Sequence, residues 1–118
     1  MSEEIVPTEM KMNRDERCLS ITFNNGNNAV LSYEFLRVYS PSAEVRGHSP
    51  SQAVLQTGKA DVMLSDIQTV GHYAVQLSFD DGHDSGLYTW DYLHELALRR
   101  DALWDDYLAK LEEAGASR

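Results

Sequence analysis

Apolar and polar residues alternate along much of the chain, which is the pattern of half-buried β-strands. The clearest example runs from Tyr73 to Phe79, where every second residue is large and apolar. The polar segment 13–16 separates two earlier runs of this kind, and residues 24–28 form a second strong turn signal. The pattern predicts six strands in all, over residues 8–12, 18–23, 29–32, 61–70, 73–79 and 84–88.

Helical spacing replaces this alternation in two places. Residues 33–39 predict about one helical turn that ends before Pro41. After Thr89, a suitable N-cap, we predict helices over 90–98 and 101–113, with Asp101 capping the second and Gly115 ending it. Their shared apolar stripe is interpreted as core rather than as a cofactor site, and it contains Trp90, Leu93, Leu96, Ala97, Trp104, Tyr107, Leu108 and Leu111.

Strands first and helices last predict the α+β class, as a small, mainly antiparallel β-sheet packed by a short helix and a C-terminal helical segment in a two-layer sandwich. Length predicts one domain over residues 1–118. We expect frayed ends at 1–7 and 114–118, and a mobile loop at 46–58. The Asp81-Gly82 pair predicts a type I′ hairpin turn. We identify no internal repeat.

Charge and composition narrow the function classes. The chain has 10 Lys and Arg against 19 Asp and Glu, for a net charge of −9, and its basic residues are scattered. We therefore expect no nucleic-acid partner. The acidic residues are interpreted as solvated surface, or alternatively as a docking surface for a basic partner.

Cysteine content and hydropathy narrow the possible cellular locations of the protein. One cysteine excludes an intrachain disulfide framework and any multi-cysteine zinc or iron–sulfur site made by this chain alone. No apolar stretch approaches the roughly 20 residues of a membrane span, and the acidic start is unlike a signal peptide. We predict a cytoplasmic protein without membrane contact.

No catalytic motif is recognisable, since the chain has neither a nucleophile elbow nor a glycine-rich phosphate loop. We therefore predict that it is not an enzyme. Of the four histidines, His83 has the most suggestive surroundings, because Asp80, Asp81 and Asp84 lie beside it. Carboxylates near an imidazole orient it for acid–base chemistry and also suit a weakly held divalent ion. Turn chemistry alone explains the segment as well, so these three interpretations stay open.

Three segments resemble a known family: LRVYSPSAEVRGH at residues 36–48, VGHYAV at 70–75 and FDDGHDSGLYTWDYL at 79–93. Together they are similar to the gamma-butyrobetaine hydroxylase-like N-terminal domain family, a bacterial domain long of unknown function. The resemblance extends over residues 17–113. It covers nearly the whole chain.

The resemblance implies a position for a metal. In the carnitine-pathway 2-oxoglutarate hydroxylases, a similar domain precedes the iron-dependent catalytic domain and holds a structural zinc through three cysteines and one histidine. The cysteine positions correspond here to Ser40, Ser42 and Val45, and the histidine corresponds to His83. The resemblance therefore implies that the zinc site is lost, and no cofactor is expected. Zinc or iron held by His83 and nearby carboxylates is the alternative.

The resemblance also implies a role. Similar domains are fused to P-loop ATPases that carry iron–sulfur clusters, which implies a non-catalytic, protein-interacting accessory domain. Its partner would be another protein, such as an iron–sulfur carrier or an iron-dependent enzyme; the oligomeric state stays open.

From the residues we add a hypothesis about the implied zinc position. A hydrogen-bonded cluster replaces the metal as a local staple, formed by Arg37, Ser40, Ser42, Asp81 and His83, with Asp84 beside it. In the alternative, the two serines only shape a turn.

Overall fold

The computed structural model describes residues 5–41, 56–84 and 86–118. In these ranges the strands are β1 (Pro7–Asn13), β2 (Cys18–Phe23), β3 (Asn28–Ser32), β4 (Leu64–Val70), β5 (Ala74–Phe79) and β6 (Leu87–Thr89). The helices are α1 (Tyr33–Val38), α2 (Trp90–Leu98) and α3 (Arg100–Ala114). Of the segments predicted to be frayed or mobile, residues 1–4 and 46–55 lie outside the described ranges.

The strands form two antiparallel sheets of three, in the orders β1-β2-β3 and β4-β5-β6. Helix α1 packs against β3, and α2 packs against both β3 and β6. Buried residues of both sheets and of α1 and α2 form one continuous apolar core. A smaller cluster of Val38, Tyr107 and Leu111 joins α3 to the end of α1. This arrangement confirms the α+β class.

The chain contains two copies of one unit, and each copy consists of three antiparallel strands followed by a helix. The first copy spans residues 7–38 and the second spans residues 64–98. In each copy the second strand ends in a phenylalanine followed by two Asn or two Asp residues and a glycine. Ser32 and Thr89 cap the helix that follows the third strand. The expectation of no internal repeat was wrong, because the copies share spacing, turn and cap rather than many identical residues.

The two units also share finer features of the backbone. In each unit the first strand carries a bulge just after the residue opposite the turn phenylalanine. The amide of the first helical residue also donates to the carbonyl just before the second strand, from Tyr33 to Arg17 at 2.9 Å and from Trp90 to Tyr73 at 3.0 Å. The two copies therefore close their third strand and start their helix in the same way.

Both turns have the same geometry, which differs from the predicted type I′. The Gly82 amide donates to the Phe79 carbonyl at 3.2 Å, the Phe79 amide donates to the His83 carbonyl at 2.9 Å, and the first turn has matching bonds. A type I′ turn needs positive φ at both central residues, but Asp81 does not have it. These are three-residue loops in which a type I turn precedes a glycine at positive φ, and that glycine is Gly26 or Gly82.

Replacing either turn glycine with alanine is expected to lower the free energy of unfolding by about 1 kcal/mol. Gly26 and Gly82 have φ values of +89° and +88°, which strain an L-residue, while an added Cβ meets no atom within 4 Å. Since strain alone sets the cost, urea unfolding should give nearly equal losses for Gly26→Ala and Gly82→Ala. Gly82→Asn should lose less, because asparagine tolerates positive φ. A negligible loss at either glycine would contradict the shared turn geometry.

The helix ends are partly as predicted. Thr89 caps α2 through its side chain, and Gly115 ends α3 in the left-handed conformation. Asp101, however, lies in the first turn of α3 rather than at its cap. Arg99 alone joins α2 to α3 and takes the cap position without a side-chain bond, so no loop remains for Asp101 to cap from.

Two strands are shorter than predicted. β4 begins at Leu64 and β6 at Leu87, each three residues later than expected. Before β6, the carbonyl of Asp84 accepts a hydrogen bond from the Gln76 side chain at 2.6 Å, so Asp84 bonds a side chain instead of the strand ladder. Within the part of the chain that is described, none of the helices has the length and apolar character needed to cross a membrane.

Candidate functional site

The candidate site lies where the end of α1 meets the β5–β6 turn. All six residues of α1 are buried, so the helix holds its side chains in fixed positions. Arg37 lies in its last turn, and Ser40 follows two residues after its end. Asp81 and His83 project from the turn on the opposite side. The repeat unit thus places the helix of one copy against the turn of the other.

Arg37 forms a partly buried ion pair with Asp81. Its Nε lies 2.9 Å from Asp81 Oδ2, and its Nη1 donates to Gln56 Oε1 at 3.0 Å. The Arg37 side chain is only 9% exposed and that of Asp81 is 22% exposed. Lys59 Nζ reaches the same carboxylate oxygen at 2.7 Å. Two cations therefore converge on one partly buried carboxylate.

His83 contacts Ser40 through its ring. Its Nε2 lies 2.8 Å from Ser40 Oγ, and its backbone amide donates to Asp81 Oδ1 at 3.2 Å. Both residues are buried, with relative exposures of 1% for Ser40 and 5% for His83. Gly86 packs so closely that a Cβ there would lie 2.4 Å from Ser40 Oγ. The pair is therefore enclosed by protein.

The other turn makes the corresponding contact with the other helix. Asn25 and Asn27 approach His94 Nε2 with their amide nitrogens, at 3.2 and 3.1 Å. His94 occupies the position in α2 that Arg37 occupies in α1, counted from the capping residue. The ring of His94 also packs edge-on against Phe23, with centroids 5.0 Å apart. Each unit thus joins its turn to the helix of the other unit.

The environment of Asp81 changes its acidity. Burial raises the pKa of this carboxyl, but hydrogen bonds from Lys59, the His83 amide and Arg37, together with the charge of Arg37, outweigh burial and lower the pKa from 3.8 to about 2. A carboxyl whose pKa is lower in the folded state stabilises the fold above its unfolded pKa. That stabilisation is lost as pH falls towards about 2.

We expect Asp81 to contribute about 2 kcal/mol of pH-dependent stability. The difference in unfolding free energy between the natural chain and Asp81→Asn should shrink by this amount as pH falls from 6 to 2. Urea unfolding of both proteins at intervals of pH measures it, and the subtraction cancels the other carboxylates. A difference that does not vary with pH would contradict the pairing of Asp81.

Three tyrosines bond the end of α1 and the start of α3. The hydroxyl of Tyr88 donates to the Leu36 carbonyl, and that of Tyr92 donates to the Tyr39 carbonyl at 2.6 Å. Tyr39 in turn donates to the Leu103 carbonyl at 2.7 Å. Burial and the nearby Asp106 raise the pKa of Tyr39 to about 12. These bonds satisfy carbonyls at the helix end and hold Arg37 and Ser40 in position.

The residues present do not fit the zinc site that the resemblance implies. Ser40 offers a hydroxyl, which is a poor zinc ligand, and His83 directs its Nε2 at that same hydroxyl. Ser42 and Val45 lie outside the described residues. Within the described ranges, no group of three or more His, Cys, Asp or Glu side chains is placed to hold a metal ion. Arg37, Ser40, Asp81 and His83 are joined by hydrogen bonds instead.

The remaining predicted residues lie apart from this network. Asp84 is exposed, and its carbonyl accepts a hydrogen bond from the Gln76 side chain. Cys18 begins β2 and is half-buried, and burial raises the pKa of its thiol. His72 is exposed, and His48 lies outside the described residues.

Sequence reasoning missed two sets of contacts. Gln56 and Lys59 join the Arg37 network, although Gln56 fell in the segment expected to be mobile. A second cluster surrounds Glu34, which is 5% exposed and is bonded by Tyr107 and Arg118. The only local signal for the second cluster was a charged residue inside an otherwise apolar helix.

Two solved structures resemble this chain in sequence and fold. No match was found among the curated proteins. One protein with an NMR solution structure is 51% identical in sequence to this chain. The match covers 96% of this chain and 89% of that protein's chain, with a TM-score of 0.84. The crystal structure of a protein of unknown function from Acidithiobacillus ferrooxidans, of the DUF971 family, is 37% identical over 77% of this chain and 91% of its own, with a TM-score of 0.64.

The family model described as gamma-butyrobetaine hydroxylase-like, N-terminal, matches residues 10–94. That range contains both repeat units except their outermost residues, together with every residue of the Arg37 network. The chain belongs to the gamma-butyrobetaine hydroxylase-like N-terminal domain family, whose function is unknown.

Proposed function

We propose that this chain is a non-catalytic accessory domain that acts by binding another protein. The observation that carries the proposal is the burial and bonding of the His83 side chain, which is the best candidate for acid–base chemistry or metal binding. Its side chain is enclosed, and its Nε2 is engaged by Ser40 at 2.8 Å. A catalytic base needs a proton on a substrate within hydrogen-bond reach, and this ring is turned into the protein instead. The network serves as a staple that fixes α1 against the β5–β6 turn.

The charge of the chain supports a basic partner. The net charge is −9, and five acidic residues of α3 are exposed, namely Asp101, Asp105, Asp106, Glu112 and Glu113. Lys110 pairs with Asp106 at 2.9 Å and Arg100 pairs with Asp101 at 3.3 Å. Five carboxylates against these two cations leave α3 with three excess negative charges. Such a surface speeds association with a positively charged protein and makes the binding sensitive to salt. The family context suggests an iron–sulfur carrier or an iron-dependent enzyme as the partner.

Affinity capture from the native cell at two salt concentrations tests this proposal. We expect a specific protein to be retained at about 50 mM salt and largely lost at about 500 mM, since exposed charges are screened. The double variant Asp105→Lys/Asp106→Lys should lose it. The matched control, Glu9→Lys/Asp66→Lys, changes the charge equally on exposed strand residues and should retain it. Equal capture by both variants would contradict binding through α3.

Measuring the metal content of the same preparations distinguishes the accessory-domain proposal from the alternative of a metal-binding protein. Near-stoichiometric zinc or iron that is lost in a folded His83→Ala variant would contradict the accessory-domain proposal and support a metal-binding protein. Metal that stays substoichiometric in both proteins after growth with added zinc and iron would support the hydrogen-bonded staple.

A further inference from the structure

A buried carboxylate on α1 is held by groups that together recognise a guanidinium. Glu34 is 5% exposed, and the Tyr107 hydroxyl donates to its Oε2 at 3.1 Å. Arg118 grips the same carboxylate with two nitrogens: Nη2 lies 2.6 Å from Oε1, and Nε lies 3.0 Å from Oε2. The guanidinium carbon of Arg118 lies 5.2 Å from the centre of the Trp104 ring. A carboxylate, a hydroxyl and an aromatic face thus surround one cation.

This geometry favours a guanidinium over an ammonium. A carboxylate offers two parallel acceptors that match the planar fork of arginine, and an indole face adds a cation–π contact. Lysine presents a compact charge that cannot satisfy both oxygens in one plane. The burial of Glu34 also requires a cation, because an unpaired carboxylate in this position is strongly disfavoured.

The present occupant is more exposed to solvent than the carboxylate that it binds. The Arg118 side chain is 52% exposed, although that of Glu34 is 5% exposed. Arg118 lies four residues beyond Ala114, the last residue of α3. The neighbouring residue Ser117 is exposed, and its carbonyl accepts one long hydrogen bond, from the Gly58 amide at 3.3 Å.

A cavity adjoins this carboxylate and has room for a second side chain. Its volume is about 570 Å³, within the roughly 300–1,000 Å³ range of ligand pockets. Glu34, Trp104 and Arg118 line one part of it, while Glu16 and Asp101 add carboxylates. The two other arginines in the lining are paired, Arg17 with Asp61 at 2.8 Å and Arg100 with Asp101 at 3.3 Å. Without Arg118 the lining has one more negative than positive charge.

We propose that Glu34, Tyr107 and Trp104 form a recognition site for an arginine side chain of a partner protein, with Arg118 as its built-in competitor. An incoming arginine enters through the cavity, replaces the Arg118 guanidinium on Glu34 and stacks on Trp104. The exchange keeps the buried carboxylate paired throughout. The assignment of the ligand to a protein rests on the function proposed above, whereas the guanidinium preference rests on the geometry alone.

The test uses the full chain and the peptide acetyl-Gly-Arg-Gly-amide, with binding followed by NMR at the Trp104 indole signal and by calorimetry. Arg118→Ala should bind the peptide about tenfold or more tightly than the natural chain, because the competitor no longer occupies the site. The matched acetyl-Gly-Lys-Gly-amide should bind at least about tenfold more weakly, having no fork. The double variant Glu34→Gln/Arg118→Ala should lose the preference for arginine. If Arg118→Ala is poorly folded, Arg118→Lys keeps the charge and should give the same order of affinities.

Four outcomes would contradict the proposed arginine site or its assignment to a protein partner. Equal affinity of the natural chain and the Arg118 variants, or equal binding after the Glu34 change, would overturn the proposal. Free L-arginine that binds more tightly than the peptide would keep the guanidinium site but overturn the assignment to a protein partner. Failure of all probes, combined with salt-sensitive capture of a partner through α3, would refute this site and leave the accessory function standing.

Discussion

Replacing Arg37 with methionine is expected to lower the free energy of unfolding by about 3 kcal/mol. Methionine keeps an apolar stem of similar length, so the change removes charge and hydrogen bonds with little change in packing. Asp81 would keep Lys59 and the His83 amide, while the Gln56 oxygen would lose its Arg37 donor. Because Asp81 keeps Lys59 as a partner, the expected loss of unfolding free energy is near the lower limit of the range for breaking a buried ion pair. Urea unfolding at neutral pH measures the loss.

A matched control exists within the chain. Arg17 pairs with Asp61 at 2.8 Å, as close as the 2.9 Å contact of Arg37 with Asp81. Its two side chains are 49% and 93% exposed, however, and exposed pairs contribute about 0–1 kcal/mol. Arg17→Met should therefore cost less than about 1 kcal/mol. Similar losses for the two variants would show that burial of Arg37 does not strengthen its contribution.

The Arg37 network joins two distant segments of the chain, as a structural metal ion would. A metal staple joins distant segments by strong bonds to a few ligands. Here α1 and the β5–β6 turn are joined by an ion pair, a serine–histidine contact and a second cation from Lys59. Such a network depends on every member being satisfied, since each partner left alone is a buried polar group. Large losses from single substitutions are the signature of that dependence.

The sequence predicted elements better than it predicted contacts. Alternation placed β2 and β5 closely, because one face of each strand is buried in the core at Leu19, Ile21, Val75 and Leu77. The cap at Thr89 and the end at Gly115 followed from local side-chain and backbone preferences. The turn at Asp81 was misassigned, because Asp-Gly suits several hairpin loops and loop length decides among them.

Contacts between distant segments were harder to predict. The placement of Arg37 against the turn came from two motif segments that the resemblance brought together, and the structure places them in contact. Glu34 and Arg118 are 84 residues apart and share no pattern, so only the folded backbone brings them together. The repeat had a visible signal, in two turns 56 residues apart that begin at Phe23 and Phe79. Aligning those turns would have predicted the repeat, whereas the contact of each turn with the helix of the other unit is visible only in the structure.

Replacing Gly86 with alanine is expected to cost about 3 kcal/mol, although its backbone conformation is open to alanine. The added Cβ would lie 2.4 Å from Ser40 Oγ, 3.2 Å from a ring carbon of Tyr88 and 3.3 Å from Pro41 Cδ. Ser40 must therefore move, and the buried His83 ring loses its contact with that hydroxyl. Gly82→Ala is the control, since its Cβ meets no atom within 4 Å and strain alone should cost about 1 kcal/mol.

A double-mutant cycle identifies the cause of the Gly86 effect. Ser40→Ala alone should cost about 1–2 kcal/mol, because His83 loses a buried partner. The same change removes the oxygen that the new methyl group strikes, so Gly86→Ala should cost at least about 1 kcal/mol less in the Ser40→Ala background. Strictly additive losses would mean that Tyr88 and Pro41 set the constraint. A coupled loss would show that the chain needs glycine at position 86 because the serine–histidine pair occupies the space beside it.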